Sequence, residues 1–280
     1  MELVIAVLVG LGGILVGGVL NALADDLPAR ARVGRPRYPD GSPRPLAAWL
    51  GLSAFVLGQR QGPPVTLTNP AEEASSSPPR ANRLSWRHPL LELATGLAFA
   101  GLTLAFAAEP ALWAWYVYVA ILLLITVIDL EHRLILFAVI LPSCLFALVV
   151  AILAPASGRT FSEYLLGGAM GFLLFFAMFL GGVAFSTLTR SNEVAFGFGD
   201  VMLATLSGLM LGWRAFIFAA LIAVFAGAAG AVLYMVGRTI IGRRYRRFTP
   251  LPYGPYIVLG TLVMLLFRQE VQDLLRSNYS

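Results

Sequence analysis

Lysine is missing from this chain: all twenty basic residues among its 280 are arginine. Cysteine is nearly missing too. The single Cys144 lies inside an apolar run, which excludes an intrachain disulfide framework and a cysteine-built zinc centre. Only two histidines, His88 and His132, are present, so no Ser–His or Cys–His constellation competes for the chemistry. Charge is scarce, at 12% of residues against 58% hydrophobic. That balance, carried in recurrent long apolar runs, excludes a soluble globular domain and predicts an all-α polytopic membrane protein. The net charge of +5 would suit a nucleic-acid partner in a soluble chain. In a membrane protein basic loops report topology instead, so the expected partner is the lipid bilayer and no nucleic acid is expected.

About eight transmembrane helices are predicted, at residues 3–24, 90–108, 111–128, 134–154, 163–188, 201–212, 214–237 and 253–268. The first region, 1–28, has no basic n-region and reads as a retained helix rather than a signal peptide. Asn21, Asp25 and Asp26 mark its inner end, and the two acids read as plain interfacial charge. Residues 29–88 form one long Pro/Arg/Ser-rich loop, expected to be mostly irregular and most mobile from Gly62 to Asn82. Within it the apolar patch Leu46 to Leu57 is too short to span. It should lie on the membrane surface or pack against the bundle.

Residues 89–280 carry the rest of the bundle. Pro89 suits a first helical turn, and Glu92 just inside it favours that helix's dipole. Trp113, Trp115, Tyr116 and Tyr118 are placed like an interfacial aromatic belt. If residues 29–88 are cytoplasmic, sixteen arginines lie inside and four (Arg159, Arg214, Arg268 and Arg276) outside. The positive-inside rule then puts the N-terminus outside and both Asp129 and Asp200 at the cytoplasmic face.

Those two aspartates carry the candidate chemistry. Phe196-Gly197-Phe198-Gly199-Asp200 opens an apolar run that ends at Gly212-Trp213-Arg214. From Val201 to Leu211 there is room for about half of the ~20 residues a span requires, so if the Gly212-Trp213-Arg214 turn lies at the far surface, Asp200 is recessed below the near one. A recessed carboxylate is costly and marks a functional site by default, although capping its own helix is the plain alternative. Asp129 closes an earlier span on the same side, within Asp129-Leu130-Glu131-His132-Arg133, a run that also reads as a charged stop after a helix. One histidine beside Glu131 and Asp129 is too little for a metal centre. Two carboxylates that meet can share one proton, hold a water, deprotonate it for attack on a peptide carbonyl and protonate the leaving nitrogen. The helix start at Asp200 favours its ionised form, which makes Asp129 the proton holder.

Five pieces in order resemble the type IV prepilin leader peptidases, membrane aspartic proteases that often also N-methylate the new N-terminus. They are the opening helix ending Leu20-Asn21 and Leu27-Pro28; Ser85-Trp86-Arg87-His88-Pro89-Leu90-Leu91-Glu92-Leu93; Ile128-Asp129-Leu130-Glu131-His132-Arg133-Leu134-Ile135; Glu193 before Gly197-Phe198-Gly199-Asp200; and Thr249-Pro250-Leu251-Pro252-Tyr253-Gly254-Pro255-Tyr256. The resemblance implies a bacterial inner-membrane enzyme that cleaves pilin-like or pseudopilin precursors after a glycine at the cytoplasmic surface. It implies catalysis by Asp129 and Asp200, with Gly197, Gly199, Glu131, His132 and Glu193 shaping the site. No cofactor is implied for proteolysis, and S-adenosylmethionine only if methylation is retained.

The chain departs from the family pattern in three places. The loop lacks the two Cys-x-x-Cys pairs that hold zinc in many members, Met202 stands where lysine is usual, and Leu136-Phe137 replaces a frequent Pro-Asn. Rival readings are a presenilin-type protease, which shares a Gly-x-Gly-Asp turn, and a non-enzymatic descendant. The latter would be an assembly scaffold or a proton-coupled transporter using the two carboxylates.

Overall fold

A computed structural model describes residues 1–29, 34–62, 83–155, 159–189, 197–240 and 252–267. The described residues are helical, with only two isolated β-bridges, and the chain divides into two compact units, Met1–Ala108 and Glu109–Ser280.

The first unit is built on two long helices, α1 (Glu2–Asp26) and α3 (Arg87–Phe106), packed along their length. Small residues make that closeness possible. A Cβ on Gly13 would stand 2.8 Å from the Thr95 carbonyl, and one on Gly17 would stand 2.6 Å from the Glu92 Cα. Where lipid is as apolar as leucine, backbones that approach through glycine gain packing that bulkier faces cannot.

The polar loop is more ordered than its composition predicts. Residues 34–62 and 83–86 form a small folded element around α2 (Gly51–Val56) and a preceding 3₁₀ turn (Leu46–Ala48). Tyr38, Ala48, Ala54 and Leu84 are buried together, with Phe55 packed against them. The Arg60 guanidinium lies 3.9 Å from the Phe55 ring centroid and 5.1 Å from that of Trp86, and bridges join Arg37 to Pro43 and Gln61 to Arg83. The described part of this loop is largely irregular backbone, yet a few well-placed apolar groups close a miniature core in it. The patch at 46–57 packs against α3, one of its two expected fates. Most of the segment expected to be most mobile, 63–82, lies outside the described residues.

The second unit contains α4 (Leu112–His132), α5 (Phe137–Leu153), α6 (Phe161–Thr189), α7 (Phe198–Leu211), α8 (Trp213–Ile240) and α9 (Gly254–Leu266). Its centre is α7, which touches α5, α6, α8 and α9 and is buried from Leu206 through Leu211. Gly167 and Gly171 of α6 meet Gly208 and the Ala204 carbonyl of α7 backbone to backbone, so no side chain larger than hydrogen fits between them. At its far end α7 is capped by Arg159, which donates to the Leu211 carbonyl.

All eight predicted segments contain a helix, but only five described helices are long and apolar enough to cross a membrane: α1, α3, α4, α6 and α8. The other three, α5, α7 and α9, have 17, 14 and 13 residues. A 14-residue helix is about 21 Å long, short of the ~30 Å hydrocarbon core. Tyr118 leaves the predicted aromatic belt: it is buried, with its ring 5.7 Å from that of Phe146. Trp113 is exposed, as a belt residue should be.

Candidate active site

Asp200 sits in the first turn of α7, which begins at Phe198, slightly earlier than the sequence suggests. Gly197 is the N-cap residue, and its N–H donates to the Asp200 Oδ2 at 3.1 Å. The capping reading is therefore correct as local structure, but it does not exhaust the residue. Gly199 has a packing reason: a Cβ there would stand 2.8 Å from the Ile135 Cβ, so glycine lets the α4–α5 connection close onto the start of α7. Between the two glycines, Phe198 joins an aromatic group, its ring 5.9 Å from Phe179 and 6.2 Å from Phe137.

Asp129 lies in the last turn of α4 and is only 5% exposed. The helix ends just beyond it, where Arg133 adopts a left-handed conformation (φ 53°) and returns its N–H to the Asp129 carbonyl at 2.9 Å. The Asp129 Oδ2 is buried without a hydrogen-bond partner. Asp129 lies within electrostatic reach of Asp200.

Two residues of this site have no assigned role in the sequence reading. Gly254, the first residue of α9, lies against the Asp129 carboxylate with its N–H directed at it. Tyr253 is within electrostatic reach of Asp200. The Tyr253 ring is 6.3 Å from Phe175 and 6.0 Å from Tyr256. The only signal in the sequence is the Pro252-Tyr253-Gly254-Pro255 turn itself; the preceding Thr249-Pro250-Leu251 lies outside the described residues. Because α9 offers its N-terminus to Asp129 as α7 does to Asp200, the asymmetry that makes Asp129 the expected proton holder is reduced.

Other predicted site residues are less close. Glu131 and His132 are exposed on the last turn of α4, where Asp129 is buried. Glu193 lies outside the described residues. Among the described residues no group of three His, Cys, Asp or Glu side chains is placed to hold a metal ion.

A second polar cluster occupies the first unit, and it corrects the reading of Asp25 and Asp26 as plain interfacial charge. Asp25 pairs with Arg87 at 2.5 Å and approaches the His88 Nε2 at 3.4 Å, while Asp26 accepts the Gly34 N–H at 3.1 Å. The His88 Nδ1 faces the Ser85 carbonyl, which can only accept, so Nδ1 carries the proton and Nε2 accepts from Arg44 and Arg87, each at 3.1 Å. Glu92 is also reassigned. Its carboxylate serves the N-terminus of α2, accepting from the N–H of Gly51 at 2.6 Å and of Leu52 at 2.8 Å, and it also accepts from Asn21 at 3.2 Å.

Residues 116–232, which include both aspartates, match the type IV leader peptidase family. The chain is 28% identical over 254 residues to a prepilin leader peptidase/N-methyltransferase of Myxococcus xanthus, covering 86% of this chain and 67% of that protein. A Bacillus subtilis protein of the same name is 27% identical over 190 residues (68% and 70%), and one from Burkholderia pseudomallei is 31% identical over 182 (65% and 55%). The chain thus spans 55–70% of the length of these three relatives. No solved structure matches it.

Proposed function

We propose that this chain, similar to prepilin leader peptidase/N-methyltransferases over most of its length, is itself an aspartic endopeptidase that removes the leader from type IV pilin-like precursors. One observation carries the reading: the buried Asp129 Oδ2 has no hydrogen-bond partner, and it stands within electrostatic reach of Asp200 on a different helix of the matched region. With one proton between them, the ionised carboxylate takes a proton from a bound water as the water oxygen attacks the scissile carbonyl. The protonated partner then gives its proton to the leaving amide nitrogen as the C–N bond breaks. The arginine distribution supports an inner-membrane protein with its N-terminus outside and this site at the cytoplasmic face.

The test is cleavage of a pilin-like precursor by the purified full chain, read by mass spectrometry of both fragments. Intact precursor with the wild-type protein under conditions where a curated relative cleaves it would overturn the reading and favour a scaffold. Proton-coupled uptake into sealed vesicles without cleavage would favour a transporter.

N-methylation is the second activity in the relatives' names, and S-adenosylmethionine is the donor the resemblance implies. That molecule needs partners for a carboxylate, an ammonium and a ribose. The cavity of about 470 Å³ between α6 and α8, lined by residues such as Met170, Phe175, Phe216 and Leu221, is apolar and does not fit it. The Asp25, Arg44, Arg87 and His88 groups are already engaged with one another. Neither place fits the donor, and no methyl-transfer step follows from them.

A further inference from the structure

We propose that the first turn of α9, at Gly254, is a positioning element of the carboxylate site, holding Asp129 in the orientation and charge state that catalysis requires. Its catalytic consequence rests on the peptidase reading above.

Asp129 occupies a poor place for a carboxylate: the last turn of α4, where the free carbonyls of its own helix repel negative charge. An opposing positive end is supplied by α9. Only one N–H in that first turn is free to serve. Pro255 has none, while Tyr256 and Ile257 donate to the Tyr253 carbonyl at 3.0 and 3.3 Å. The Gly254 N–H remains, and it is directed at Asp129. The absence of a side chain at 254 is as important as the N–H. A Cβ there would stand 2.5 Å from the Asp129 Oδ2 and 3.1 Å from its Cγ, closer than real Cβ atoms approach. The carboxylate cannot swing clear cheaply, because Asp129 is 5% exposed and Oδ2 is the buried atom with no hydrogen-bond partner. A methyl at 254 must therefore turn the Asp129 carboxylate away or drive α9 back.

The groups facing Asp129 set the sign of the effect. They are Asp200 from α7, Arg133 beyond the end of α4, and the Gly254 N–H from α9, with Tyr253 beside Asp200. The packed neighbour α5 contributes no charged residue. Loss of the N–H favours the protonated form of Asp129, so the pH below which the pair gains a second proton should rise.

The decisive experiment is Gly254→Ala in the full chain. The expected result is a fall in kcat of at least about tenfold with KM changed less than about threefold. The acid limb of the pH–rate profile should move up by about one pH unit. A readout independent of cleavage is the pH midpoint for modification of Asp129 by a carbodiimide, located by peptide mass spectrometry; it should move upward in parallel. Pro255→Ala serves as the second variant, since it adds an N–H to the same turn without touching the Gly254 contact. It should keep cleavage and move the midpoint downward. Wild-type kcat and an unmoved midpoint in Gly254→Ala, or an unmoved midpoint in Pro255→Ala should Gly254→Ala not fold, overturn the proposal. A midpoint that moves in a protein that cleaves nothing upholds the positioning and removes only the peptidase reading.

Discussion

Two buried carboxylates, one in each unit, are held in opposite ways. Glu92 is fully buried and accepts from two backbone N–H groups and one side-chain amide. Asp129 is almost as deeply buried, yet its Oδ2 accepts no hydrogen bond. Burying a charge costs several kcal/mol unless donors replace the lost water. Glu92 has that replacement, and its work is to join α1, α2 and α3. Asp129 has it only in part, from the Gly254 N–H, and its Oδ2 is left with a free lone pair. Burial is common to both residues, and hydrogen-bond satisfaction separates them.

The largest effect expected from this contrast is on cleavage. Asp129→Asn and Asp200→Asn should each lower precursor cleavage by about 10²–10⁴-fold or more while leaving expression and membrane insertion unchanged. Asparagine keeps the shape but can neither take a proton from water nor return one to the leaving nitrogen. Near-normal cleavage by either variant would remove the dyad. In the wild type, activity should fall on both sides of an optimum, with two apparent pKa values that belong to the pair; a single-sided profile would argue against a shared proton.

Glu92→Gln should break the comparison from the other side. It removes the charge that receives the α2 N-terminus and should cost about 1–3 kcal/mol of stability, seen as a lower thermal midpoint. Cleavage per folded molecule should remain within a few-fold of wild type. A selective loss of cleavage without a change in stability would make Glu92 a functional residue after all.

Met202→Lys is expected to be mild. Met202 is half-buried on the first turns of α7, and a lysine there can extend its charge toward water along an apolar stem. Cleavage equal to or above wild type is the expected outcome, and loss of folding would reveal tight packing around Met202. The smallest expected effect is that of a zinc chelator, which should change neither the folded 34–62 element nor cleavage. With Cys144 as the only cysteine and His88 committed to Ser85 and two arginines, this region lacks zinc ligands. Stoichiometric zinc in the purified protein would refute that.

Much of this molecule was legible in its sequence. Long apolar runs located the helices, because the bilayer admits little else that satisfies the backbone. That Asp200 opens a helix too short to span followed from counting residues to Gly212. The order within 34–62 was not legible, because composition does not reveal that Arg60 lies between Phe55 and Trp86.

The sequence by itself determined where helices form and which of them end in a carboxylate, since hydrophobic length and helix termination act over neighbouring residues. Only the tertiary structure decided what each carboxylate meets. Glu92 finds donors 40 and 41 positions away at Leu52 and Gly51, Asp25 finds Arg87 62 positions away, and Asp129 meets the start of α9 at Gly254. Local periodicity cannot encode such meetings. They arise when helices pack closely enough, through glycine, for the end of one to reach the end of another.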